Sequence, residues 1–315
     1  MTQNTTDAIA ANVGSVIHGQ QDNIELALVC LLAEGHLLLE DVPGVGKTSM
    51  AKALAASIGG RVSRIQFTPD LLPSDVTGVS IFDQRAQVFE FHEGPVFANL
   101  VVADEINRAS PKTQSALLEV MGERTVTVDG VGHPVPRPFM VVATQNPIDM
   151  DGTYRLPEAQ MDRFLMRISM GYPDSDAEVA ILDTHAAAGS QAIADLQAVA
   201  TLMDIASAIE ATDRAYVARS LMDYVVALAA ATRTHPDLRL GMSPRGSLSI
   251  VRAARARAVV QGRDYVTSED IKTLALPVLA HRLLLSPQAE LRGRSTTDVI
   301  GEILDTVATP EGKAA

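Results

Sequence analysis

Glu40-Asp41-Val42-Pro43-Gly44-Val45-Gly46-Lys47-Thr48 is the stretch on which the fold turns. It joins an apolar run, Leu37 to Leu39, to an Ala-rich stretch, Thr48 to Ile58, that favours a helix. A glycine-rich turn between strand and helix lets backbone N–H groups converge on an anion, and the helix N-terminus adds its dipole. The spacing predicts a phosphate-binding loop. Lys47 would reach the β- and γ-phosphates of a nucleotide and Thr48 would ligand Mg²⁺. The full pattern G-x-x-x-x-G-K-[ST] has glycine where this chain has Asp41, while Gly44 and Gly46 remain. A bare glycine turn is the plainer reading, but the strand before and the helix after favour the phosphate loop.

Further along lies Leu100-Val101-Val102-Ala103-Asp104-Glu105, an acid pair ending an apolar strand. Ligand sites in open α/β sheets form at such strand ends. Asp104 would bind Mg²⁺, directly or through water, and Glu105 would polarise the water that attacks the γ-phosphate. An acid pair can also merely charge a helix N-terminus, but downstream of Lys47 it reads as a Walker B motif. A third apolar strand, Phe139 to Ala143, ends in Thr144-Gln145-Asn146-Pro147, where Asn146 would orient the water rather than only make an Asx turn.

Continuous apolar strands separated by helices, such as the one Ser110-Pro111 opens, predict a parallel sheet covered on both faces. Val79 to Phe91 and Arg124 to Pro136 break this alternation as two hairpins, the second turning at Asp129-Gly130. From Ser190 the pattern is helical and strand signals vanish. The expectation is an α/β nucleotide-binding core over 1–185, with hairpin insertions at about 79–91 and 124–136, and an all-α domain over 190–310.

Two arginines stand out. Arg163, in Leu156 to Phe164, falls late in the core, where it could face a neighbouring subunit; Arg155 is the substitute, and an ion pair with Asp162 or Glu158 is the plainer reading. Arg245 follows Ser243-Pro244, read as N-cap and first helical position of a lid helix, which would aim it as a nucleotide sensor. Arg252, Arg255, Arg257 and Arg263 read as a solvated helix face. The histidines show no metal spacing, His133 and His235 read as loop residues, and the methionines and few aromatics read as core.

Composition excludes several classes. The chain has 315 residues, 47% hydrophobic and 20% charged, enough for a real core. Its net charge of −12 argues against gripping nucleic acid through general electrostatics. That charge lies in the first 187 residues (12 basic, 24 acidic), whereas the remainder holds 14 of each. A single cysteine, Cys30, rules out an internal disulfide. Leu26 to Ala33 is too short to span a bilayer and the N-terminus does not read as a signal peptide, so a cytoplasmic location is expected.

The order of these motifs resembles the AAA+ ATPases. Several strings are similar to the MoxR family in particular: Glu40 to Thr48, Asp104 to Ala109, Ala143 to Pro147, Leu156 to Phe164, Gly241 to Arg245, and Val278 to Arg282. The resemblance spans about residues 10–300 and tolerates Asp41. It implies ATP and Mg²⁺ as cofactors, with Pro43, Gly44, Val45, Gly46, Lys47, Thr48 and Ser49 forming Walker A and Asp104 and Glu105 forming Walker B. It also implies Asn146 as sensor 1, Arg163 as the arginine finger, Arg245 as sensor 2, and His18 and Gly19 near the adenine. By the same resemblance the protein forms a ring, most simply a hexamer. It would work as a chaperone-like remodeller of protein clients, with a von Willebrand factor A domain partner, in enzyme maturation or metal and cofactor insertion. The expected mechanism has the site at a subunit interface, with ATP on the loop around Gly44 to Thr48 under the helical lid and Arg163 arriving from the neighbour. The alternatives are the motor subunit of a magnesium chelatase, a nucleic-acid motor, and a nucleotide switch; Glu105, as a general base, disfavours the switch.

Overall fold

The computed structural model describes residues 2–42, 44–146, 154, 156–188 and 192–310. Pro43 and Arg155 therefore lie outside the described residues. Five strands form one parallel sheet: β1 (Leu37–Glu40), β2 (Val62–Gln66), β3 (Leu100–Asp104), β4 (Met140–Gln145) and β5 (Met166–Ile168), in the order β2-β3-β4-β1-β5. β1 lies between β4 and β5, with Leu38 opposite Ala143 and Arg167. Because β1, β3 and β4 are covered on both faces, they read as unbroken apolar runs.

Sequence reasoning passed over β2 and β5. β2 is an edge strand whose residues Val-Ser-Arg-Ile-Gln are mostly accessible, so it lacks the apolar signature. β5 has three residues, fewer than periodicity can register.

The helices longer than five residues are α1 (Thr2–Gly14), α2 (Gln21–Leu32), α3 (Lys47–Ser57), α4 (Pro111–Glu123), α5 (Ser175–Ala188), α6 (Leu202–Arg214), α7 (Arg219–Thr234), α8 (Pro244–Val260), α9 (Ser268–Leu279) and α10 (Thr296–Thr306). Their starts follow capping chemistry. Ser110 and Ser243 accept N–H bonds from Thr113 and Gly246. Thr201, Thr267 and Ser295 form full capping boxes with Asp204, Asp270 and Asp298.

Both hairpins are present. Gly78–Asp83 pairs with Val88–Glu93, and Thr125–Val128 with Val131–Pro134 around a turn in which Asp129 (φ 52°) and Gly130 (φ 80°) are left-handed. His133 is a strand residue, not a loop residue, and stacks on Phe91 at 4.1 Å, joining one hairpin to the other. The aromatics are not all core: Phe82 and Phe89 pack against each other on the first hairpin with 45% and 72% of their surface exposed.

Two expectations for the C-terminal part need correction. A short antiparallel pair, Leu238–Leu240 with Leu284–Leu285, sits among its helices. The arginines of α8 and the following turn are not a solvated stripe. Arg257 and Arg263 both bond the fully buried Asp270 at 2.7 Å, and Arg252 donates to the Ala33 carbonyl at the end of α2. Burial opposes the Asp270 charge, but hydrogen bonds from Arg263, Thr267 and Arg257 outweigh it and hold the pKa below the ordinary aspartate value.

Alternation along β1 and β3 divides the core. Leu37, Leu39, Leu100 and Val102 face one apolar cluster; Leu38, Val101 and Ala103 face the other. The first cluster continues through α1 and α2 into the C-terminal helices, where Ile205, Leu228, Ala254 and Leu274 belong to it.

Candidate active site

Gly44 (φ 89°) and Gly46 (φ 92°) place the loop after β1 in a left-handed conformation that side-chain-bearing residues resist. The first helical bond of α3 runs from the Met50 N–H to the Gly46 carbonyl at 2.9 Å. The N–H groups of Lys47, Thr48 and Ser49 therefore have no partner within the helix, an arrangement that can receive an anion. Val45 packs its side chain on the core, which anchors the loop.

Asp41 explains the missing glycine. Its carboxylate accepts bonds from Ser169 Oγ (2.8 Å) and Gly171 N–H (2.6 Å) beyond β5, and from its neighbour's Val42 N–H (2.8 Å). Burial alone would raise its pKa, but these donors hold it below the ordinary value. Its backbone carbonyl accepts from Lys47 Nζ at 2.6 Å. Lys47 is itself partly desolvated, which lowers its pKa against the pull of Asp41, Asp104 and Glu105.

Strand ends bring the acids to this loop. Thr48 Oγ1 donates to Asp104 Oδ1 at 3.1 Å, and Thr144 Oγ1 donates to the same oxygen at 3.3 Å. Glu105 has a left-handed backbone (φ 55°), a costly conformation for a non-glycine residue. It is held by its N–H bond to Thr144 Oγ1 at 2.9 Å. The Glu105 carboxylate accepts from Gln66 Nε2 (2.9 Å) and Arg108 (3.1 Å). Asn146 lines the same cavity, together with Lys47, Thr48, Arg64, Gln66, Asp104, Glu105 and Thr144.

Arg64, Gln66, Arg108 and Thr144 were not singled out from the sequence. The available signal was Arg64 and Gln66 at i and i+2, polar residues on one face at the C-terminal end of β2.

A hydroxyl and a carboxylate side by side, below exposed helix N–H groups, suit a nucleotide with Mg²⁺, a hard ion that takes few protein oxygens and completes its shell with phosphate and water. Among the described residues no group of three or more His, Cys, Asp or Glu could hold a metal alone, so a cation here would share its ligands with phosphate.

His18 and Gly19 sit in the turn between α1 and α2. Gly19 is left-handed (φ 69°), and a Cβ there would lie 2.7 Å from that of Ala177 in α5. The next residue, Gln20, donates to the Met170 carbonyl at 2.9 Å, beside the segment that Asp41 holds. His18 and Gly19 thus flank the loop without lining the Lys47 cavity.

Arg163 and Arg245 lie elsewhere. They line a second cavity with His36, Gly122, Arg252 and Arg282. Residues 34–36 precede β1 and Leu165 precedes β5, so this cavity opens at the N-terminal end of the sheet. The Lys47 cavity opens at the C-terminal end, a sheet length of roughly 15 Å away. Within one chain α8 packs along α2 and starts at the far end of the sheet, so Arg245 does not line the Lys47 cavity of its own chain.

Arg163 makes no ion pair with Asp162 or Glu158. Its guanidinium donates to the Leu118 carbonyl at 2.7 Å and lies against Gly122. Arg245 lies 3.8 Å from Asp162 Oδ2, while Arg282 donates to Asp162 Oδ1 at 2.7 Å and to the Phe164 carbonyl at 2.7 Å. Arg282 is almost wholly buried and ties the Arg163 segment to α8 and α9, a role its sequence string did not reveal. His36 accepts the Val141 N–H at Nδ1 and bonds the Met121 carbonyl through Nε2. Burial above all pushes its pKa down to about 4, so it is neutral at physiological pH.

Sheet order, loop and paired strand-end acids define a P-loop ATPase core of the AAA+ class. The comparisons agree. Residues 36–166 match the ATPase family associated with various cellular activities, and 230–303 match the AAA lid domain. The chaperone MoxR1 of Mycobacterium tuberculosis is 44% identical over 98% of this chain and 84% of its own length. A protein named YeaC from Bacillus subtilis is 47% identical over 96% of this chain and 94% of its own. A solved structure of a candidate ATPase from Cytophaga hutchinsonii superposes with a TM-score of 0.91 at 38% identity, covering 98% of this chain and 96% of that one. The chain belongs to the MoxR family of AAA+ ATPases.

Proposed function

We propose that this protein hydrolyses ATP at the subunit interfaces of a ring and uses the cycle to remodel or mature a partner protein complex. The observation that carries the reading is the separation of the two cavities. A subunit with Lys47, Thr48, Asp104 and Glu105 at one end of its sheet and Arg163 and Arg245 at the other completes a site only against a neighbour. Stacking subunits head to tail would present both arginines to the next subunit's phosphates, and a closed head-to-tail arrangement is a ring. We take a hexamer as the ring size and the cytoplasm as its location. Among the described residues no helix is long and apolar enough to cross a membrane.

Each residue then has a task. The N–H groups of Lys47, Thr48 and Ser49 and the Lys47 ammonium hold the phosphates. Thr48 and Asp104 would hold Mg²⁺, which supplies charge neutralisation at the β- and γ-phosphates. Glu105 accepts a proton from water that Asn146 orients. Arg163 and Arg245 of the neighbouring subunit stabilise charge developing on the γ-phosphate, a contribution worth on the order of 10³–10⁵ in rate. Losing the γ-phosphate releases those arginines, and Arg282 passes the movement of the Arg163 segment to α8 and α9. We extend the reading to a protein client and a von Willebrand factor A domain partner, with enzyme maturation or metal or cofactor insertion as the outcome. A magnesium-chelatase motor is the weaker alternative, since a chelatase subunit of Arabidopsis thaliana matches only 60% of this chain at 27% identity.

The test is ATPase activity per subunit against protein concentration. Wild type should rise as rings assemble, while Arg163→Ala and Lys47→Ala stay near background. Mixing the two variants should restore activity that neither has alone, because a mixed interface pairs an intact loop with an intact arginine. Concentration-independent activity, or full activity in Arg163→Ala, would overturn the shared site.

A further inference from the structure

Arg64 engages the same carboxylate that a cation would need. Its Nε donates to Asp104 Oδ2 at 2.6 Å, while Thr144 bonds Oδ1 and Thr48 Oγ1 lies 3.1 Å from Oδ1 and 3.3 Å from Oδ2. Its NH2 donates to Gln66 Oε1 at 2.9 Å, so the flat guanidinium bridges two neighbouring strand ends. The two partners differ in exposure: the Asp104 side chain is 7% exposed and that of Arg64 is 53% exposed. A nearly buried carboxylate is costly without a cationic partner, and the Arg64 guanidinium is placed to be one. An exposed arginine can swing into water at little cost, since exposed ion pairs contribute little.

We propose that Arg64 is a displaceable counter-ion that competes with the divalent cation for Asp104. The proposal rests on the reading above, that Thr48 and Asp104 hold Mg²⁺ with a nucleotide. Two positive charges on one carboxylate repel each other at a separation of a few ångströms. The cation gains ligands from Thr48 and phosphate, whereas the guanidinium gains solvent, so the guanidinium leaves. Arg64 thereby weakens the apparent cation affinity and keeps the Asp104 carboxylate aligned when no cation is bound. Arg64 is a positioning residue here, not a catalytic one.

The experiment is an electron paramagnetic resonance titration of Mn²⁺ into the full-length protein saturated with ADP, scored against ADP alone. Arg64→Ala should tighten Mn²⁺ binding at least threefold. Arg64→Lys, which keeps the charge but loses the fork that spans Asp104 and Gln66, should fall between. In an Asp104→Asn background, removing Arg64 should change nothing. Unchanged or weakened Mn²⁺ binding in Arg64→Ala would overturn the proposal. So would Arg64→Lys binding Mn²⁺ as tightly as Arg64→Ala, since a retained positive charge would then not compete with the cation. Loss of ATP but not ADP affinity in Arg64→Ala, followed by fluorescent analogues, would make Arg64 a phosphate ligand instead and also overturn it. If wild type binds no more Mn²⁺ than ADP alone, or if Asp104→Asn does not weaken binding, the underlying cation-site reading fails and takes this inference with it.

Discussion

Asp41 stands at a position where the full loop pattern has glycine, yet the residue is not a degraded glycine. Three donors converge on its carboxylate, and two of them, Ser169 and Gly171, belong to the segment after β5. The side chain therefore fixes the loop's flank to the neighbouring strand end. Arg64 and Gln66 show the same economy in β2: at alternate positions they serve one acid each, Asp104 and Glu105. Restoring the full pattern with Asp41→Gly should harm the protein. The expected loss is about 2 kcal/mol, because charge-assisted hydrogen bonds are removed and their donors are left under cover. Urea denaturation would show it as a lower midpoint with an unchanged slope. A variant as stable as wild type would mean that the donors find other partners.

At the scale of elements, α4 is the scaffold for Arg163. Ser110 caps its start, Leu117, Leu118 and Met121 bury one face, and the Leu118 carbonyl near its end receives the guanidinium. Gly122 leaves the space that the guanidinium occupies; a Cβ there would collide with it. The colliding atom is the tip of a flexible side chain, so the helix can accept alanine while the arginine must move. Gly122→Ala should thus leave the melting temperature unchanged or raise it slightly, since alanine is the better helix former by about 1 kcal/mol. The same variant should lower ATPase activity in assembled rings by about tenfold or more if Arg163 acts at the interface. Unaltered activity at unaltered stability would separate Arg163 from catalysis. The hairpins act as a pair in the same way, because stacking of Phe91 on His133 couples their bases while Phe82 and Phe89 remain exposed on the first.

For the whole molecule the decisive feature is that one of its two apolar clusters joins the sheet to the C-terminal helices. The apolar cluster on one face of the sheet runs through Ile9 of α1 and Leu28 of α2 to Ala254 of α8 and Leu274 of α9. Polar contacts follow the same route: Arg252 reaches the Ala33 carbonyl, and Arg282 reaches Asp162 and the Phe164 carbonyl. Differential scanning calorimetry of the nucleotide-free monomer should show one transition, with the calorimetric and van't Hoff enthalpies equal. Two resolved transitions would mean that the C-terminal helices unfold separately and that the contacts through Arg252 and Arg282 do not couple them.

The sequence by itself determined the parts whose chemistry is local. A strand, a glycine turn and a helix start lie within twelve residues, so the loop between them is legible. The same holds for the buried central strands, the capped helices, both hairpins, and the acids that end a strand. Local reading stopped at β2 and β5, where an edge position and a three-residue length erase the apolar signal. It mistook the α8 arginines for a solvated face, because the buried charge of Asp270 that faces Arg257 and Arg263 is visible only in three dimensions. Only the tertiary structure decided which end of the sheet each arginine reaches. That outcome depends on how α8 packs along α2, a contact between residues more than 200 positions apart in the chain. It separated Arg163 and Arg245 from Lys47 within one subunit and brought Arg64 onto Asp104, because strand order, not chain order, sets which side chains meet.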